Sequence, residues 1–187
     1  PSPHDFPESV APALEWRRKA ALALGAGGLI IASFFIEVEG WFRTAYAVRF
    51  ATTLAYLALE FPFHQAPKLN SVLGASLRIA FAALITGFIV IVIWPAFRIS
   101  FLHLTLIGGF AVVTFSVATR VVFGHSGNLE KLRGRNRWML VAVALMLLGM
   151  ATRISGDFWP KILVSHYIWG AVIWIAGVLV WSRFVLP

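Results

Sequence analysis

The chain alternates long apolar runs with short polar breaks. Six runs stand out, at about 20–36, 44–61, 72–94, 101–123, 138–154 and 162–182. Each is near the ~20 residues that an α-helix needs to cross the hydrocarbon of a bilayer. The breaks carry turn chemistry: EVEGWFR, the proline-marked FPFHQAPKLN, WPAFRIS, the basic GHSGNLEKLRGRNR, and RISGDFWPK. Within a bilayer each segment must satisfy its own backbone N–H and C=O groups, which excludes an open sheet and leaves helices. Short connections make sequential helices antiparallel neighbours. The pattern therefore predicts an all-α fold, a polytopic membrane bundle of about six transmembrane helices. Residues 1–15, polar and proline-rich, read as a soluble N-terminal tail, and 16–187 as one transmembrane domain.

Composition sharpens this picture. Of 187 residues, 59% are hydrophobic and only 13% charged, about half the charge of an ordinary soluble domain. The formal charge is +8, which in a soluble chain would point to nucleic acid. Here the basic residues lie mostly between apolar runs and read as topology signals and headgroup contacts. The expected partner is the lipid bilayer, not nucleic acid. With the N-terminus inside, the inner segments hold Arg17, Arg18, Lys19, Lys68, Lys131, Arg133, Arg135, Arg137 and Arg183, against Arg43, Arg98, Arg153 and Lys161 outside. The bias predicts N-in and C-in. The start PSPHDFPES lacks a basic stretch before an apolar core, so no cleavable signal peptide is expected. The absence of Cys excludes disulfides, Fe–S clusters, thiolate metal sites and thiol catalysis.

The candidate chemistry lies with histidine and arginine. His64, His103, His125 and His166 all fall at the ends of predicted spans. Depth allows two pairs, His103 with His166 on the outer side and His64 with His125 on the inner side. His103 and His125 lie 22 positions apart, about 33 Å along a continuous helix, so they cannot share one metal ion. Imidazole ligates haem iron and also binds copper or zinc, and a b-type haem needs no Cys. Arginine is the usual partner for haem propionates. Arg43, Arg49 and Arg98 are candidates near the outer pair, Arg78 and Arg120 near the inner one. Arg49 lies more than a turn inside its span, where an unpaired guanidinium is costly; pairing with Glu37 or Glu39, or snorkelling, is the plain alternative. Ser126 beside His125 is not a nucleophile–base geometry, and no acid is placed to orient the ring. No phosphate loop or HExxH is present. Whether the chain is an enzyme is left open.

The segment HLTLIGGFAVVTFSVATRVVFGHSG resembles the NnrS family of bacterial membrane proteins. It carries a helix opening with His103, the glycines Gly108 and Gly109, then Arg120, then the turn Gly124-His125-Ser126-Gly127. The likeness covers about 95–187 and is weak before that. It implies a multi-pass protein of the bacterial inner membrane, associated with haem and copper and with the response to nitric oxide. His103 and His125 become the leading ligands, supported by Arg120, and the glycines would turn His125 back toward the bundle. Family members are about twice as long, so the resemblance implies correspondence to their second half. Two functions follow as expectations. One is a membrane haem or haem/copper protein that transfers electrons or binds a diatomic gas. The other is a cofactor-free or cofactor-supporting structural subunit of a larger membrane complex, with Gly25, Gly27 and Gly28 available to pack against other membrane subunits.

Overall fold

A computed structural model describes residues 13–61, 72–132 and 136–186. The predicted tail at 1–12 and the turn that holds His64 lie outside these residues. Among the described residues the fold is all-helical. The helices are α1 (Ala13–Val38), α2 (Phe42–Glu60), α3 (Val72–Ile93), α4 (Arg98–His103), α5 (Val112–His125), α6 (Arg137–Gly156) and α7 (Leu163–Val185). α4 and α5 are joined by a π-helical segment, Leu104–Ala111, and form one rod with it. Each of the six predicted spans is a long helix. Five of them are long and apolar enough to cross a membrane. The exception is α2, 19 residues long and interrupted by Arg43 and Arg49.

Boundaries differ from the predicted ones where local capping overrides the apolar pattern. α1 begins at Ala13, so 13–15 are helical rather than tail; Glu15 supports the first turn through an ion pair with Lys19 four residues on. The fourth pass begins at Pro95, in a 3-10 turn that runs directly into α4. Proline suits the start of a helix because its missing N–H would be unsatisfied there anyway. Asn136 caps α6 by accepting from the amides of Trp138 (3.0 Å) and Met139 (3.2 Å). α5 ends at His125, after which Gly127 takes φ +73° and the Asn128 amide reaches back to the Phe123 carbonyl at 3.1 Å. This is a Schellman stop, in which the left-handed residue is glycine because a Cβ would be strained there.

The core is assembled around α3 and the rod. Tyr46, Leu84, Phe88 and Ile91 form one buried cluster, with Phe101 and Leu102 against it. Ala80, Val112, Met139 and Val143 form a second, toward the opposite end, with Trp181 and Phe184 packed on it. Near that second end the Trp181 indole N–H donates to the Thr119 hydroxyl at 2.7 Å, which joins α7 to α5. The exposed basic residues Arg120, Lys131, Arg137 and Arg183 lie in or beside the segments at this end.

The hairpin of α6 and α7 is closed by small residues. Ala142, Gly149 and Gly156 recur every seven positions on one helix, and Gly170 and Gly177 do so on the other. A Cβ on Gly149 would lie 2.8 Å from the Gly170 carbonyl oxygen and 3.0 Å from the Trp174 amide nitrogen. Both obstacles are backbone and cannot rotate away. In a bilayer, close backbone approach through small residues is a main source of helix association. Gly25 has open space around its Cβ position. Gly149→Ala is therefore expected to lower stability by about 1–3 kcal/mol through overpacking. Gly25→Ala should be neutral or slightly stabilising, since alanine is the better helix former. Thermal unfolding of both variants in detergent checks the contrast.

Candidate functional site

The polar chemistry gathers at the end of the bundle where α1, α3 and α6 finish and α2, α4 and α7 begin. Two carboxylates organise it. Glu37, near the end of α1, accepts from Arg49 of α2 at 2.5 Å and from Arg98 of α4 at 3.3 Å, and the Tyr46 hydroxyl donates to it at 3.4 Å. Asp157, just past α6, accepts from the Ser100 hydroxyl of α4 and the Tyr167 hydroxyl of α7. Arg153 of α6 reaches it at 3.5 Å while its guanidinium lies 3.1 Å from the centre of the Tyr167 ring.

Arg49 is only 4% exposed. Its Nε donates to the buried Ser33 hydroxyl at 2.8 Å, and its guanidinium lies between the Phe34 and Tyr46 rings. Of the two acids expected as partners, Glu37 pairs with this arginine. Glu39, the other acid considered, is exposed.

His103 is half-buried, at the junction of α4 and the π-helical segment. Its Nδ1 lies 2.8 Å from the Ile99 carbonyl of its own helix. Nδ1–H donating there leaves Nε2 as the nitrogen with a lone pair. The residue lines a cavity of about 420 Å³ between the rod, α6 and α7, shared with Ile107, Arg153, Tyr167 and Trp174. Gly149 and Gly170 also line it, where the absence of side chains opens room beside the imidazole. The Trp174 indole nitrogen is buried there without a hydrogen-bond partner. The volume falls within the ~300–1,000 Å³ usual for small-molecule sites.

His166 stands at the same end. Its Nδ1 faces the Ile162 carbonyl at 3.2 Å, and its Cβ is the nearest obstacle, 2.9 Å, to a Cβ placed on Gly156. The neighbour of His166, Tyr167, is the residue that lines the cavity with His103. At the opposite end, His125 is the exposed last residue of α5 and Arg120 is exposed. The expectation that the glycine turn swings His125 back toward the bundle is corrected: the Schellman stop falls after His125, so that residue keeps its helical direction. The rod does not fold back between His103 and His125. The rise of ~1.5 Å per residue keeps these two rings tens of ångströms apart, and Arg120 is separated from His103 in the same way. His64, proposed partner of His125, lies outside the described residues. Among the described residues no three His, Asp or Glu side chains converge as a metal cage would require.

A family model described as NnrS protein matches residues 6–187. The chain belongs to the NnrS family. The match runs through α1, α2 and α3, so the likeness that seemed weak before residue 95 extends over the whole transmembrane domain. No curated protein and no solved structure matches the chain. As an NnrS-family protein with five helices long and apolar enough to cross the bilayer, it is a multi-pass membrane protein.

The sequence pointed to His103 but not to the groups around it in this NnrS-family chain. Arg153 and Asp157 sit in the predicted turn RISGDFWPK, and Tyr167 lies further on, in the predicted last span. The available signal was the i,i+4 spacing of Arg153 and Asp157, which marks a helical ion pair.

Burial raises the Asp157 pKa, but the Ser100 and Tyr167 hydrogen bonds and the charge of Arg153 outweigh it, so the carboxyl sits below the ordinary aspartate range. A depressed folded-state pKa contributes stability above the unfolded value of about 3.9, and loses it as the pH falls through the folded value. Asp157→Asn is therefore expected to cost about 1.5–3 kcal/mol at neutral pH, the worth of a charged hydrogen bond. The difference from wild type should begin to narrow as the pH falls below about 4 and go on closing as it passes the lower folded value. Melting curves from pH 7 to pH 3 check this.

Proposed function

We propose that this NnrS-family protein is a haem-binding protein of the bacterial inner membrane, and that His103 would hold the group through its imidazole in the cavity between the rod, α6 and α7. One observation carries the reading. His103 lies on that cavity with Nδ1 committed to a backbone carbonyl, and Arg153 lies on the same walls.

The donor set fits the group. The imidazole is oriented by its own helix. Arg153, held between Asp157 and the Tyr167 ring, is a cation suited to a propionate. Ile107, Ala171 and Ile175 supply apolar wall. Bound haem would supply redox chemistry and a coordination position for a small gas.

Among the described residues, His103 is the one imidazole on the lining of this cavity. That favours single-histidine ligation with an open position, hence binding of a diatomic gas such as nitric oxide, over bis-histidine electron transfer. A copper ion has less support, since no cluster of three ligating side chains is present among the described residues. His125 and Arg120, exposed at the other end, have no part in this site.

A structural subunit of a larger membrane complex is the second reading. Its specific support is α1, whose most apolar stretch is only 6% buried, and whose Gly25, Gly27 and Gly28 meet nothing within 4 Å.

The visible spectrum of the purified protein decides between them. Wild type is expected to show a Soret band that shifts on reduction and again on addition of nitric oxide. His103→Ala should lose most of the haem, and His125→Ala should keep it. A full haem complement in His103→Ala would overturn the assignment. A haem-free wild type in a stoichiometric complex with other membrane proteins would favour the structural subunit.

A further inference from the structure

A second cavity lies on the other side of the rod. It measures about 570 Å³ and is bounded by α1, α2, α3 and the α4–π segment. Its walls are mostly apolar, with Phe34, Leu84, Phe88, Leu102, Leu106 and Phe110 along them. Phe34, Leu106 and Phe110 are each more than half exposed, which opens the groove sideways to the bilayer.

The charge at its polar end does not balance. Three ionised side chains line the cavity: Glu37, Arg49 and Arg98. Glu37 bonds to both arginines. Arg49 is the buried and shorter partner, at 2.5 Å, and accounts for the carboxylate charge. Arg98 meets the same carboxylate with one nitrogen at 3.3 Å and remains a third exposed. The lining therefore carries a surplus of one positive charge beside apolar surface, where a counter-anion is worth more than in open water. A guanidinium has five donors, so Arg98 keeps capacity for a phosphate.

We propose that this cavity is a binding site for one anionic phospholipid, with the headgroup phosphate on Arg98 and an acyl chain in the groove beneath it. Charge complementarity selects the anion, and the apolar groove that continues from the charge selects a tailed ligand over free phosphate. The site is distinct from the His103 cavity, which lies across the rod, and the proposal stands without the haem assignment.

Binding is read by native mass spectrometry and thermal shift on the intact protein in detergent, with phosphatidylglycerol, phosphatidylcholine or inorganic phosphate added. Wild type should retain phosphatidylglycerol over phosphatidylcholine by about tenfold, the worth of one charged hydrogen bond. Arg98→Gln, which leaves Glu37 and Arg49 as a neutral pair, should erase the preference, and Arg98→Lys should restore part of it. Leu106→Trp, which narrows the groove and touches no charge, should weaken both lipids. Equal retention of the two lipids by wild type would overturn the proposal, and that comparison needs no variant to fold. An undiminished preference in Arg98→Gln would also overturn it. So would stabilisation by inorganic phosphate equal to that by phosphatidylglycerol, which would mean a bare anion site.

Discussion

Two carboxylates each hold three helices, and α4 belongs to both sets. Glu37 joins α1 to α2 through Arg49 and to α4 through Arg98. Asp157 joins the end of α6 to α7 through Tyr167 and to α4 through Ser100. The constraint behind both is the cost of an uncompensated charge away from water. Breaking a buried pair such as Arg49–Glu37 by removing one partner costs about 3–5 kcal/mol, and the partly buried bonds to Asp157 add the smaller worth of a charged hydrogen bond. Arg98 and Ser100 fix the first turn of α4 between two clamps, and His103 follows one turn later on the same helix.

Packing inside the bundle then makes space beside that histidine. Gly108 and Gly109 let the π-helical segment approach neighbours closely: a Cβ on Gly108 would lie 2.6 Å from the Met150 sulfur, and one on Gly109 3.0 Å from the Leu84 Cβ. π-helical turns recur at functional sites, and this one begins immediately after His103. Across from it, Gly149 and Gly170 serve two ends at once. They allow α6 and α7 to touch backbone to backbone, and they line the cavity that His103 faces. The rod is therefore a partition. One side presents His103 and Ile107 to the cavity proposed for haem, and the other presents Arg98, Leu102 and Leu106 to the lipid groove.

Much of this was legible along the chain, for reasons tied to particular residues. The expense of Arg49 inside a span demanded a partner, and Glu37 was one of two acids within reach. The GHSG turn predicted a glycine stop, and Gly127 supplies it. The direction of His125 was not legible, because it depends on which glycine takes the positive φ. With Gly127 in that role rather than Gly124, His125 remains helical and exposed. The site around His103 was only half legible. Arg153, Asp157 and Tyr167 are spread over 15 positions and two helices, and their meeting with Ser100 from α4 leaves no trace in any one segment.

By itself, the sequence determined the material and the layout: apolar runs of bilayer length, turns marked by Pro and Gly, and basic residues concentrated toward one end. These follow from local rules, since a helix in lipid must close its own hydrogen bonds and a turn must find its own φ. Only the tertiary structure decided which charges neutralise each other, which histidine faces a cavity, and where a cation is left over. Those outcomes depend on distances between helices, which the small residues at their crossings set and which no single helix encodes.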